Sequence, residues 1–176
     1  MGYDITIGTA FINPPDESEA AEWPHIGVRV AGTTHPSAPT FPGDDMTGNG
    51  SGRSPSYSAW AAFCRNVGLH RLFFGREAHE PYESGRNAGL MSEHPGAVLL
   101  TRAHHAEIAA ALDRYRTTHP GARPGWPVPA EGGNDFDGPY TPETIDLDGD
   151  LARLIWLEWW VRWALDNCAI PALRNT

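Results

Sequence analysis

Residues 47–55 read Thr-Gly-Asn-Gly-Ser-Gly-Arg-Ser-Pro and carry the strongest chemical signal in the chain. Gly48, Gly50 and Gly52 alternate with Asn49 and Ser51, so the backbone can turn several N–H groups to one side. Ser54-Pro55 reads as an N-cap followed by proline at the first helical position. The loop therefore feeds a helix N-terminus, where orphan N–H groups and the macrodipole favour an anion. Arg53 at the mouth can grip a phosphate with two parallel hydrogen bonds, and Tyr57 and Trp126 can stack on a base. The spacing matches neither G-x-x-x-x-G-K-[ST] nor a strand-borne G-x-G-x-x-G. A plain glycine loop with a Ser-Pro cap uses the same residues. The expected binding set is Gly48, Asn49, Gly50, Ser51, Gly52, Arg53, Ser54, Tyr57 and Trp126, and the expected ligand is small, phosphorylated and nucleotide-like.

Metal chemistry has weaker support. Asp44-Asp45 can hold a divalent cation beside a bound anion, although a Gly-Asp-Asp turn explains the pair equally well. His104-His105-x-Glu107 puts His104 and Glu107 three apart, on one face of a helix, which suits shared ligation. His79, Glu80, Glu83 and His94 would have to complete such a set. His104 also shares its face with Ile108 and Ala111, as a core histidine would. Asp146, Asp148 and Asp150 resemble the start of a calcium loop, but Leu151 and Leu157 stand where glycine and glutamate are required. No G-x-S-x-G nucleophile turn occurs; Ser54, Ser56 and Ser58 read as capping residues, and Cys64 as core. No cofactor is expected.

The elements that must position these residues give an α+β expectation. Tyr3, Ile5 and Ile7 alternate with polar residues, and Ile26, Val28 and Val30 do so again. They predict strands near 3–12 and 25–31, paired antiparallel; 69–74 reads as a third short strand or an extended segment. Helices are expected at about 55–67, 102–118 and 149–167, joined by long ordered loops. The last helix contains LARLIWLEWWVRWAL, apolar around most of its circumference, with Trp156, Trp159, Trp160 and Trp163. Such a helix is wrapped by protein on several sides. Each buried tryptophan N–H needs an acceptor, so carbonyl-rich loops should surround it. The ordered part is expected to close at Pro171.

The chain has 176 residues, enough for one domain with a real core. Its net charge is −9, against duplex nucleic acid as partner, and the acid is too dispersed for a nucleic-acid mimic. All 13 basic residues are arginine, which excludes Schiff-base and P-loop lysine chemistry. The tryptophan run is shorter than the roughly 20 residues a membrane span needs and carries Arg153, Glu158 and Arg162. Two distant cysteines and no signal-peptide pattern point to a reducing cytoplasm.

The opening MGYDITIG, the stretch PGDDMTGNG…RSPSY and the tail LARLIWLEWWVRWALDNC resemble small uncharacterised proteins of tailed phages and prophages in GC-rich bacteria. The likeness spans most of the chain and brings no catalytic residue. It implies a phage accessory protein, in the cytoplasm of the bacterial host, that inhibits a host factor or sequesters a nucleotide signal. The expectation is thus a non-enzymatic binder of a small phosphorylated ligand. One alternative is a protein-binding inhibitor or assembly factor, able to form homo-oligomers, that uses the acidic segment Asp16–Glu22 or an exposed apolar patch. A second alternative is a metal-dependent hydrolase built on His104, His105 and Glu107.

Overall fold

The computed structural model describes residues 1–13, 27–44, 48–77, 79–80, 88–92, 94–134 and 138–176. In chain order the elements are β1 (Ile5–Asn13), β2 (Gly27–Ala31), β3 (Gly52–Arg53), α1 (Tyr57–Asn66), α2 (His70–Phe74), β4 (Gly96–Leu99), α3 (Arg102–Thr118), β5 (Arg123–Pro124), β6 (Pro129–Asn134), β7 (Gly138–Tyr140), β8 (Leu147–Asp148), α4 (Gly149–Asn167) and β9 (Pro171–Asn175). The fold is α+β. A small antiparallel sheet runs β2-β1-β9-β4, with β3 continuing the β2 side of β1, and the helices pack on one face.

Period-two alternation assigns the two faces. Ile5 and Ile7 of β1 and Leu173 of β9 point into the main core, with Trp60, Phe63, Phe73, Ile108, Leu154 and Trp160. Ala10, Val30 and Ala172 form a second, small core on the opposite face, joined by Ala97. The middle of that face is made of small residues, and β2 meets β9 and β4 across it. A Cβ on Gly8 would lie 1.8 Å from the Ala31 carbonyl oxygen, so only glycine lets the strands cross there.

The tryptophan helix is central, as its all-round apolar pattern requires. Leu151, Ala152, Leu154, Trp156, Leu157, Trp160, Val161 and Ala164 of α4 are all buried. Asp148 caps it by accepting from the Leu151 N–H at 2.9 Å. Arg162 donates to Glu158 at 3.1 Å, the expected i,i+4 pair. Thr101 caps α3 in a reciprocal box with His104.

Four expectations need correction. Residues 69–74 contain the helix α2, with Leu69 and Phe73 turned into the core. The cap of α1 is Ser56, which accepts from the Ala59 N–H, while Ser54 donates to Asp4 at 2.6 Å. Pro171 does not close the ordered part: it opens β9, an inner strand of the sheet. The tryptophan N–H groups are only partly provided for: Trp156 donates to the Gly50 carbonyl at 3.0 Å, whereas Trp60 and Trp160 have no acceptor for theirs among the described residues. Asp16–Glu22 lies outside the described residues.

Candidate functional site

The glycine loop is built into the molecule on three sides. Thr34 and Gly50 form an antiparallel bridge, flanked by His35 N–H to Asn49 carbonyl at 3.1 Å and Ser51 N–H to Thr33 carbonyl at 2.9 Å. The Ser51 hydroxyl, itself buried, accepts from the Thr33 N–H at 2.9 Å. Gly52 and Arg53 then pair with Thr6 and Ile5 of β1. The loop is a second, short hairpin laid against α4, with its polar atoms largely used within the fold.

Arg53 does not stand at the mouth of this loop. It is 6% exposed, and its two terminal nitrogens donate to Asp44 at 2.5 and 2.7 Å. The guanidinium carbon lies 5.0 Å from the Trp156 ring centroid and 5.7 Å from that of Trp126, within cation–π range. On the other side Arg153 lies 5.7 Å from Trp126 and 3.5 Å from Asp150. Burial pushes Arg153 down from the usual arginine range, against the opposing pull of Asp150. Trp126 is a wedge: a Cβ on Gly43 or on Gly149 would come within 2.5 Å of its carbonyl oxygen or its Nε1. Arg53, Asp44 and Trp126 therefore meet in a structural clamp tying two loops to the start of α4. Tyr57 is elsewhere, against Tyr3 and His94.

An open groove does run beside the loop. It is lined by Thr6, Val30, Gly32, Thr33, Thr34 and Gly50–Gly52. Thr6 pairs across the sheet with Arg174 of β9, so alternation puts both on the same face. Arg174 is half-buried and makes no ion pair among the described residues. Sequence reasoning misses it because Arg174 sits in a segment with no visible strand pattern.

The metal candidates are dispersed. His104 is spent on its capping box. His105 meets Glu158 at 2.8 Å, and Glu158 also takes Arg162. Glu107 lines a separate groove with Leu69 and Arg114. Asp44 serves Arg53, and Asp45 and Glu83 fall outside the described residues. Among the described residues no three His, Cys, Asp or Glu side chains converge as a metal site.

Two further features had no sequence signal. Phe11, Ile12, Val28, Leu99 and Ile170 are exposed large apolar side chains. All five stand at the end of the sheet where β1 and β4 finish and β2 and β9 begin. His94 joins Tyr57 to a fully buried Asn175, through hydrogen bonds of 3.1 and 2.8 Å. Comparison with family models, with curated proteins and with solved structures finds no match to this chain.

Proposed function

We propose that this protein works by binding another protein through the apolar end of its sheet, as an accessory or assembly factor of the phage type. The observation that carries the reading is the cross-strand pair Ile12 and Val28 with Leu99 at that end, on the face of the second, small core, with Ile12 68% and Leu99 60% exposed. Scattered exposed apolar residues are ordinary, but a contiguous group marks an interaction surface. Among the described residues β2 has a backbone partner on one side only, β1, which leaves its other side for strand addition. Arg29 on β2 is exposed and makes no ion pair among the described residues. These features fit an extended partner segment that adds to β2, with alternate apolar residues and an acidic neighbour.

The test is affinity capture from host and phage-infected lysates, with the captured protein identified and re-bound in pure form. Ile12→Asp and Val28→Asp should abolish binding without lowering the melting temperature, and Arg29→Glu should weaken it. Hydrogen exchange should slow at residues 28–31 in the complex. Capture that survives both aspartate variants would overturn the reading.

A second reading, a small phosphorylated ligand, is favoured by the groove over Thr6 and Gly50–Gly52, with Arg174 next to Thr6 on the same face of the sheet. A nucleotide at 100 times its dissociation constant should add about 2.7 kcal/mol of stability, and Arg174→Ala should remove the gain. The absence of any melting shift across a nucleotide panel would end it.

A further inference from the structure

We propose that Tyr57 is a nucleophilic tyrosine, with His94 as its general base, and that the pair reacts with an activated acyl group. The geometry fixes the direction of the proton relay. Asn175 is fully buried in β9, and its Nδ2 donates to the Leu90 carbonyl at 3.4 Å. That turns Oδ1, which can only accept, toward His94 Nδ1 at 2.8 Å. Nδ1 therefore carries the imidazole proton. The lone pair of Nε2 faces the Tyr57 hydroxyl at 3.1 Å, and the hydroxyl must donate. Nucleophile, base and buried orienting group stand in the order that general-base activation requires.

Tyr3 holds both rings edge-on, its centroid 4.5 Å from Tyr57 and 5.1 Å from His94. Tyr57 is the first residue of α1 and His94 is exposed, so the pair sits at the surface, open to a substrate. No arginine is bonded to Tyr57, His94 or Asn175 among the described residues. An acyl carbonyl is neutral and needs no counter-charge from the protein. In the step, the Tyr57 O–H bond breaks and its proton passes to His94 Nε2. The tyrosyl oxygen bonds the acyl carbon, the bond to the leaving oxygen or sulfur breaks, and His94 returns the proton to that atom.

The intact protein, treated with p-nitrophenyl acetate, tests this. Peptide mapping should find acetyl on Tyr57, formed roughly a hundredfold faster than on free N-acetyltyrosinamide, in line with general-base contributions. Tyr57→Phe should remove the label, and His94→Gln should slow acetylation of Tyr57 to the rate of N-acetyltyrosinamide while leaving the melting temperature within a few degrees. Tyr57 acetylated no faster than N-acetyltyrosinamide, or at an unchanged rate in His94→Gln, overturns the proposal.

Discussion

Asp44 holds both terminal nitrogens of Arg53, at 2.5 and 2.7 Å, inside a sleeve formed by Trp126 and Trp156. The two side chains are 6% and 3% exposed, so neither charge can turn to water if its partner is lost. Breaking a buried pair from one side strands the other charge and costs about 3–5 kcal/mol. Arg53→Leu and Asp44→Leu should each lose stability of that order in urea unfolding. The double variant should lose less than the sum, since it leaves no stranded charge. Additive losses would mean that the two side chains act separately.

The clamp also shows why composition alone makes the glycine loop look open. Arg53 after three alternating glycines has the local character of an anion grip, and its partner Asp44 is nine residues away across a loop with no period. Local chemistry is visible in the sequence; the long-range pairing that uses it is not. Where a period runs long enough, sequence and structure agree: Ile5 and Ile7 in β1, the Ile108–Ala111 face of α3, and the all-round apolar surface of α4. His70–Phe74 is too short to show a helical repeat. β9 begins with proline and alternates Ala172 and Arg174 with Leu173 and Asn175, so its outward face is mixed in character. Its strand nature comes from pairing with β1 and β4 on both sides, a tertiary cause that propensity does not encode. The Tyr57–His94–Asn175 relay likewise joins residues 37 and 81 apart in sequence.

Gly8 should be among the least replaceable residues in the chain. The Ala31 carbonyl that a new Cβ would strike belongs to backbone, which cannot swing aside as a side chain can. Gly8→Ala should cost at least about 3 kcal/mol, the upper end of the usual range for overpacking. Gly121→Ala is the matched control: nothing lies within 4 Å of where its methyl group would sit, and its φ is ordinary. There alanine should add about 0.4–1 kcal/mol by restricting the unfolded chain. Thermal melts of the two variants should move in opposite directions.

Stability should fall at alkaline pH, through tyrosine. Burial, reinforced by donation to Asp148, raises the Tyr115 phenol above its ordinary value of 10.0. Burial, together with Tyr57, raises Tyr3. A raised value means that the folded state holds the proton more tightly than the unfolded chain. The stabilisation is complete below pH 10 and is lost as the pH climbs through the folded value. Tyr115→Phe should flatten the alkaline limb of a stability–pH curve and leave its slope near neutrality unchanged. An alkaline limb equally steep in the variant would place the sensitivity in other groups.

Trp156 links the central helix to the glycine hairpin by one hydrogen bond, from Nε1 to the Gly50 carbonyl at 3.0 Å. Both groups are buried, so removing the donor leaves the carbonyl without water or partner. Trp156→Phe keeps an aromatic ring in the core but cannot donate, and should cost about 1–3 kcal/mol for the orphaned acceptor. It also thins one wall of the sleeve around Arg53. The loss should be local before it is global. Hydrogen exchange at the Ser51 and His35 amides, which close the hairpin bridge, should speed up. The amides of α3, which packs on α4 but makes no bond to that hairpin among the described residues, should keep their rates. Uniform acceleration across both elements would show that the tryptophan supports the whole core and does not specifically hold the loop.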